Sequence, residues 1–226
     1  MQRILHFPSG PESWKALLAD PEKHWKAGFS ARTLAHCWEA AKGFPKEIAK
    51  ALSATSDPLL VDISPLLAVP EFKVPLPGGQ RASQNDIFVL AKSGAGPVSI
   101  MVEGKVGESF GPTLAEWEAD ASPGKKERLA ALLEKLGLRR PDPEVRYQLL
   151  HRAASAVITG EQFRAAAAVM LVHSFSKARA CWPDYEAFLK HCGVKAEIGV
   201  TQRIPTPSAV PLFAAWVEGD RTFLES

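Results

Sequence analysis

Two neighbouring apolar runs, each carrying charged residues, constrain the fold of this chain more than any other feature. The first run, residues 85–90, carries Asp86 near its start, and the second, residues 98–106, carries Glu103 and Lys105. The link between the runs contains two glycines and a proline, so we predict that they are two strands of a β-hairpin. The hairpin brings Asp86 close to Glu103, and the spacing of Glu103 and Lys105 places both on one face of their strand.

Acids inside apolar strands need a physical explanation, because a buried charge is costly unless it is paired or binds a metal. Two carboxylates suit Mg²⁺, which prefers oxygen ligands and keeps part of its water shell. A lysine beside them can orient a water molecule or balance negative charge during hydrolysis. The pattern therefore predicts a metal site at Asp86 and Glu103, with Lys105 as a helper cation. The open alternative is an edge hairpin with a solvent-facing Glu103–Lys105 stripe and Asp86 at the strand entry.

The composition is that of a globular protein without a strong excess of either charge. The chain has 226 residues, of which 46% are hydrophobic, and this is enough for a sizeable core. The formal net charge of +2 is smaller than is usual for a dedicated nucleic-acid binder, which weakens a DNA hypothesis without excluding it. Basic residues are enriched in residues 125–152, where several acids dilute them.

The sequence also indicates a cellular compartment. No run approaches the roughly 18 apolar residues of a membrane span, and the N-terminus lacks a continuous apolar signal region. The three cysteines, Cys37, Cys181 and Cys192, show no CxxC spacing, which argues against a disulfide framework or a zinc ribbon. We therefore expect a cytoplasmic protein with no membrane partner.

The order of elements predicts a mixed α/β fold in a single domain. Besides the hairpin, we predict helices over residues 12–19, 30–42, 45–53, 123–136, 144–158 and 183–191, a helical continuation over 161–167, and strands over 71–74, 169–175 and 211–218. Ser30 is predicted as a helix N-cap, and the proline-rich residues 56–70 as a loop with short extended pieces.

The segment Asn85-Asp86, followed after a turn by Glu103-Gly104-Lys105, resembles the PD-(D/E)xK signature of restriction-endonuclease-like nucleases, with Asn85 in place of the proline. The resemblance implies a restriction-endonuclease-like core over residues 28–176, in which helices flank a mixed central sheet. Residues 1–27 are then an N-terminal extension, and residues 177–226 supply a helix and a strand that complete the fold. The whole chain is also similar to an uncharacterised bacterial family with this signature, a similarity that implies no activity.

The nuclease resemblance implies roles for particular residues. Asp86 and Glu103 bind Mg²⁺ or Mn²⁺, and Lys105 positions or activates the attacking water. Family members often add an acid from the helix before the sheet, for which the candidate is Glu39. It shares a helix face with Arg32 and His36, and a solvent-facing polar stripe is the alternative explanation for that face.

A second polar stripe lies on the helix over residues 144–158. Gln148, His151, Arg152 and Ser155 share one face of a helix that is otherwise apolar, so they must meet solvent, a cleft or buried partners. The resemblance implies that Gln148 and Arg152 contact the water or the phosphate, with His151 as a supporting donor. An exposed stripe, or an Arg152 that pairs structurally with an acid, is the alternative.

These observations lead to a functional expectation with named alternatives. We expect a metal-dependent, nuclease-like protein that hydrolyses DNA phosphodiesters. A catalytically silent binding module on the same fold is the main alternative, and a small-molecule hydrolase built on the stripe of Gln148, His151 and Arg152 is a third. His173 is expected to be a satisfied core histidine, and a homodimer is left open.

Overall fold

The computed structural model describes residues 8–139 and 142–226, which form one six-stranded mixed sheet with helices on both faces. The predicted α/β class with a mixed sheet is confirmed. The α-helices are α1 (Pro21–His24), α2 (Ser30–Ala40), α3 (Lys46–Ser53), α4 (Leu114–Glu118), α5 (Pro123–Leu136), α6 (Tyr147–Gln162) and α7 (Trp182–His191), with 3₁₀ helices at Pro11–Leu17, Pro58–Leu60 and Arg221–Glu225. The strands are β1 (Ser64–Val74), β2 (Ser83–Ser93), β3 (Gly96–Lys105), β4 (Ala167–Ser174), β5 (Thr201–Ile204) and β6 (Leu212–Glu218).

The sheet has an antiparallel half and a parallel centre. Its strand order is β1-β2-β3-β4-β6-β5, with β1, β2 and β3 antiparallel, β3, β4 and β6 parallel, and β5 antiparallel to β6. The predicted hairpin is confirmed, because β2 pairs with β3 down to Ser93↔Gly96 across a tight turn. Gly96 has φ of 133°, a conformation that L side chains rarely adopt. The crossover from β3 to β4 carries α4, α5 and α6.

The alternation of side chains along the strands divides the core into two layers. Phe88, Met101 and Met170 pack with α5 and α6, whereas their sequence neighbours Ile87 and Val102 pack with α2 and α3. Both layers are apolar, so a charged side chain on a central strand must find its partners inside the protein. Glu103 and Lys105 follow Met101 at intervals of two residues and therefore point towards α6.

Several predicted boundaries differ from the structure for local reasons. The first strand begins at Ser64 rather than at residue 71, because β1 is an edge strand and tolerates the missing N–H groups of Pro65 and Pro70. Ser30 is the first helical residue of α2 rather than its N-cap, and the Glu108 carboxylate accepts the Ser30 N–H at 2.8 Å instead. The short, polar strand β5 was not predicted.

The lengths of the helices bear on two further predictions from the sequence. Helix α6 ends at Gln162, so the helical continuation predicted over residues 161–167 is not present beyond that residue, and β4 begins at Ala167. Within the described ranges, no helix is both long and apolar enough to cross a bilayer.

Candidate functional site

The candidate site lies where β2 and β3 diverge. The registered pairing of the two strands stops at Ile87↔Val102, and Asp86 is the next residue along β2. Its Oδ2 accepts the backbone N–H of Gly104 at 2.7 Å, so the carboxyl fills the gap between the separating strands. A Cβ on Gly104 would lie 3.3 Å from that oxygen and 3.2 Å from Leu34, which explains why glycine suits this position.

Glu103 is the centre of a buried network beside Asp86. Its Oε1 accepts from the Lys105 ammonium at 2.7 Å and from the Gln148 amide at 2.7 Å, and its Oε2 accepts from Arg152 Nε at 2.5 Å. The Gln148 carbonyl oxygen in turn accepts from Lys105 at 3.2 Å. Glu103, Lys105 and Arg152 are only 3%, 4% and 6% exposed, so these charge-assisted bonds form out of contact with bulk water.

Helix α6 contributes the other half of the network. Gln148 and Arg152 are one turn apart on the face that covers β3, so both reach Glu103. Ser83 Oγ accepts from Arg152 Nη1 at 3.0 Å and also contacts His151 Nδ1 at 2.9 Å. The polar stripe therefore meets buried partners. Arg152 pairs with the acid Glu103, which is the structural alternative given above for this residue.

A third acid, Glu71, lies close to this network and was not among the predicted site residues. The registered pairs Pro70↔Ile87 and Phe72↔Asn85 flank it, which places Glu71 beside Asp86 on the neighbouring strand. Its φ of 52° breaks the extended conformation of β1, and its Oε2 accepts from the Gln84 amide at 2.5 Å. An acid directly after Pro70 in an apolar strand was the available signal in the sequence.

The acids differ in how easily they ionise. Burial raises the pKa of Asp86 well above its usual value, and the negative charges of Glu103 and Glu71 add to this effect. Burial likewise raises the pKa of Glu71 to about 7. Burial also opposes ionisation of Glu103, but Arg152 and Lys105 outweigh it and lower the pKa of Glu103 to about 2. The site therefore holds more carboxyl groups than its two cations neutralise.

The raised pKa of Glu71 predicts a measurable pH dependence of stability. The folded protein keeps the Glu71 proton to about pH 7, whereas the unfolded chain loses it near the ordinary value of 4.5. The folded state binds more protons in this window, so rising pH favours unfolding. In metal-free protein, we expect the stability of Glu71→Gln relative to wild type to increase by about 3 kcal/mol between pH 4.5 and 8.

Urea unfolding at several pH values measures this difference. Subtracting the wild-type curve removes the contributions of titrating groups that do not interact with Glu71, and the remaining difference includes the coupled response of Asp86. Glu186→Gln, at an exposed position on α7, is the charge-matched control. A constant stability difference between Glu71→Gln and wild type across the window would contradict the prediction.

Glu39, predicted as the acid from the preceding helix, lies away from this network. Its Oε1 accepts from the Trp14 indole at 2.8 Å, and the residue is exposed. Arg32 and His36, on the same stripe, both contact Glu12, at 3.5 and 3.4 Å. Other side chains of α2 face the sheet, so this polar stripe packs against the 3₁₀ helix Pro11–Leu17.

A separate cluster lies on the other side of the sheet. In the described parts of the chain, one group of three potential metal ligands has its ligand atoms within 4.8 Å of one another, and it consists of Cys37, Glu47 and His173. The three acids near β3 do not meet this distance criterion. The Trp38 indole N–H donates to His173 Nδ1 at 3.3 Å, which leaves the ring proton on Nε2 facing Glu47 at 3.1 Å. Both ring nitrogens are thus satisfied, as expected for a core histidine.

Comparison with known proteins identifies a family without supplying an activity. No curated protein and no solved structure matches this chain. One family model matches residues 8–221, which covers the sheet, both helical layers and every residue of the network described above. The chain therefore belongs to the family described as "Domain of unknown function (DUF6946)".

Proposed function

We propose that this protein is a metal-dependent nuclease that hydrolyses DNA phosphodiesters on a restriction-endonuclease-like core. The observation that carries the proposal is a buried Glu103–Lys105 pair on β3, beside Asp86, at the point where the two strands diverge. The resemblance of Asp86, Glu103 and Lys105 to the PD-(D/E)xK signature also supports a metal-dependent nuclease. Gln148 contacts both Glu103 and Lys105, so its side chain lies beside the proposed catalytic pair.

The donor set suits a hard divalent cation. Three carboxyl groups, those of Glu71, Asp86 and Glu103, interact electrostatically, and burial raises the pKa values of Glu71 and Asp86 even though Arg152 partly offsets this effect. Mg²⁺ and Mn²⁺ favour oxygen ligands of this kind and supply positive charge together with an activated water. In the proposal Asp86 and Glu103 hold the ion, and Glu71 completes the acidic surroundings from β1.

The chain's own residues have distinct tasks in this proposal. Lys105 holds a water or a phosphate oxygen beside Glu103 and offsets the charge that develops during attack. Gln148 orients the Lys105 ammonium by accepting one of its hydrogens. Arg152, tied to Ser83 and Glu103, keeps the Glu103 carboxylate ionised and in place.

One observation favours a catalytically silent binding module as the second candidate. Both oxygens of Glu103 already accept hydrogen bonds from Lys105, Gln148 and Arg152. A metal ion must share these oxygens or displace one of the donors, so the network is also consistent with a purely structural ion-pair cluster. Metal binding distinguishes the two functions.

We expect the wild-type protein to bind Mn²⁺ at pH 8, where the acids near β3 ionise more readily, with Asp86→Asn weakening the affinity at least about tenfold. Isothermal titration calorimetry and the electron paramagnetic resonance signal of free Mn²⁺ measure the binding. Glu39→Gln is the matched control and should bind as the wild type does, because Glu39 contacts Trp14 instead of the network. No Mn²⁺ binding by the wild type would reject the nuclease and favour the binding module.

A further inference from the structure

A groove of about 470 Å³ opens next to the candidate site on the α6 side of the sheet. Ser83 and His151 line it, and both belong to the hydrogen-bonded network around Glu103. An occupant of the groove therefore lies next to the network that holds Glu103. The volume is within the range of sites that hold one small ligand, such as a single nucleotide.

The walls of the groove are positively charged. Arg81, Lys125 and Arg128 line it, and its described lining contains no aspartate or glutamate. Arg128 is partly used to hold the adjacent turn, since it donates to the carbonyl oxygens of Pro77 and Gly79 at 2.9 and 3.2 Å. Arg81 is exposed, so its guanidinium is accessible to an anion. A positive wall without acids favours a phosphate-bearing ligand.

Aromatic side chains form another part of the lining. The rings of Trp117 and Tyr147 stack with their centroids 4.0 Å apart and an interplanar angle of 14°. The Lys125 ammonium lies 5.2 Å from the centre of the Trp117 ring and donates to its backbone carbonyl at 3.2 Å. Aromatic and cationic groups side by side are the combination that binds single nucleic-acid strands without reading their sequence.

The tautomer of His151 adds a directed donor to this groove. Arg152 can only donate, so Ser83 Oγ accepts from it, and the Ser83 hydroxyl hydrogen remains free to donate to His151 Nδ1. Arg152 Nη1 also lies 3.4 Å from the same ring nitrogen. These contacts place the ring proton on Nε2, an atom for which the described residues show no partner. His151 lines the groove together with the residues of the positive wall and carries this donor.

We infer that this groove is a subsite for one unpaired nucleotide of a single-stranded nucleic acid, next to the phosphodiester that the acidic site would cleave. The inference rests on the proposed function for its orientation, since the nucleotide adjoins the network around Glu103. Arg81, Lys125 and the His151 N–H contact phosphate oxygens, and the Trp117–Tyr147 pair contacts the sugar and base. The groove has room for one nucleotide, so a base held in a duplex enters it only after unpairing.

The test measures the binding of a fluorescein-labelled single-stranded DNA of about ten nucleotides to the full chain in EDTA. Fluorescence anisotropy at several salt concentrations reports the affinity. We expect Arg81→Glu and Lys125→Glu each to weaken binding about tenfold or more and to reduce the salt dependence by about 0.7 per lost phosphate contact. Lys50→Glu, an exposed charge reversal on α3, is the matched control and should leave binding unchanged. A blunt duplex of the same sequence should bind more weakly than the single strand.

The outcomes separate this inference from the proposed function. Equal affinities of Arg81→Glu, Lys125→Glu and Lys50→Glu, or equal affinities of single strand and duplex, would overturn the subsite even if the wild type binds Mn²⁺. Selective loss of single-strand binding in the two groove variants would support it, including in a protein that binds no Mn²⁺. Arg81 is an exposed loop residue, so Arg81→Glu remains informative if Lys125→Glu fails to fold.

Discussion

Replacing Lys105 with alanine is expected to lower metal-dependent DNA cleavage by about 10²–10⁴-fold while leaving the fold intact. The ammonium lies 2.7 Å from Glu103, on the face of β3 that carries the acid. In the proposed function it holds the attacking water and offsets developing charge, and a methyl group does neither. Glu103 keeps its bonds to Arg152 and Gln148 in the variant, so no uncompensated carboxylate remains to unfold the protein.

Single-turnover cleavage of a labelled substrate with Mn²⁺ measures this effect, and circular dichroism with thermal unfolding reports on the fold. Lys92→Ala is the matched control, because Lys92 is an exposed lysine near the turn of the same hairpin, at the far end from Asp86. Lys105→Ala should still bind Mn²⁺, which separates a loss of chemistry from a loss of the ion. Cleavage by Lys105→Ala at the wild-type rate would show that this residue has no part in the reaction.

Replacing Glu103 with glutamine is expected to lower the free energy of unfolding of the metal-free protein by about 3–5 kcal/mol. Glutamine has nearly the same shape, so the loss comes from charge. Lys105 and Arg152 are both buried, and each lies within hydrogen-bond distance of Glu103. Without the carboxylate, two buried positive charges lose their hydrogen-bonded counter-charge, and the nearby acids Asp86 and Glu71 are carboxyl groups whose ionisation burial disfavours.

Urea unfolding in EDTA at pH 7 measures this loss. Adding Lys105→Met to the Glu103→Gln variant should recover part of it, because one uncompensated cation is then removed. Asp86→Asn is a contrasting control: the raised pKa of Asp86 shows that its charged form is disfavoured, so an uncharged isostere should change stability little. A Glu103→Gln protein as stable as wild type would mean that the network contributes no net stability.

Local periodicity explains why much of the candidate site was predictable. Side chains on a strand alternate between faces, so the spacing of Glu103 and Lys105 put them on one side of β3 before any packing was known. The hairpin followed from two apolar runs and a glycine-containing link, and it brought Asp86 to the same end of the sheet. The helical spacing of Gln148 and Arg152 placed both on one face of α6 in the same way.

Other features depended on contacts between distant segments. Glu71 reaches the acids because β1 pairs with β2 in one particular register and because its backbone departs from the extended conformation there. Glu39 lies elsewhere because α2 turns its apolar side to the sheet and leaves the polar stripe to the 3₁₀ helix Pro11–Leu17. Neither outcome follows from the spacing of charges within a single element.

The sequence by itself determined the α/β class, the hairpin and the residues that share a face within each strand or helix, because these follow from backbone periods of about two and 3.6 residues. Only the tertiary structure decided that Arg152 pairs with Glu103, that Glu71 rather than Glu39 joins the acids, and that a basic groove opens beside them. Those relations depend on strand register and on the placement of α6 across β3, which are set by the packing of the whole core.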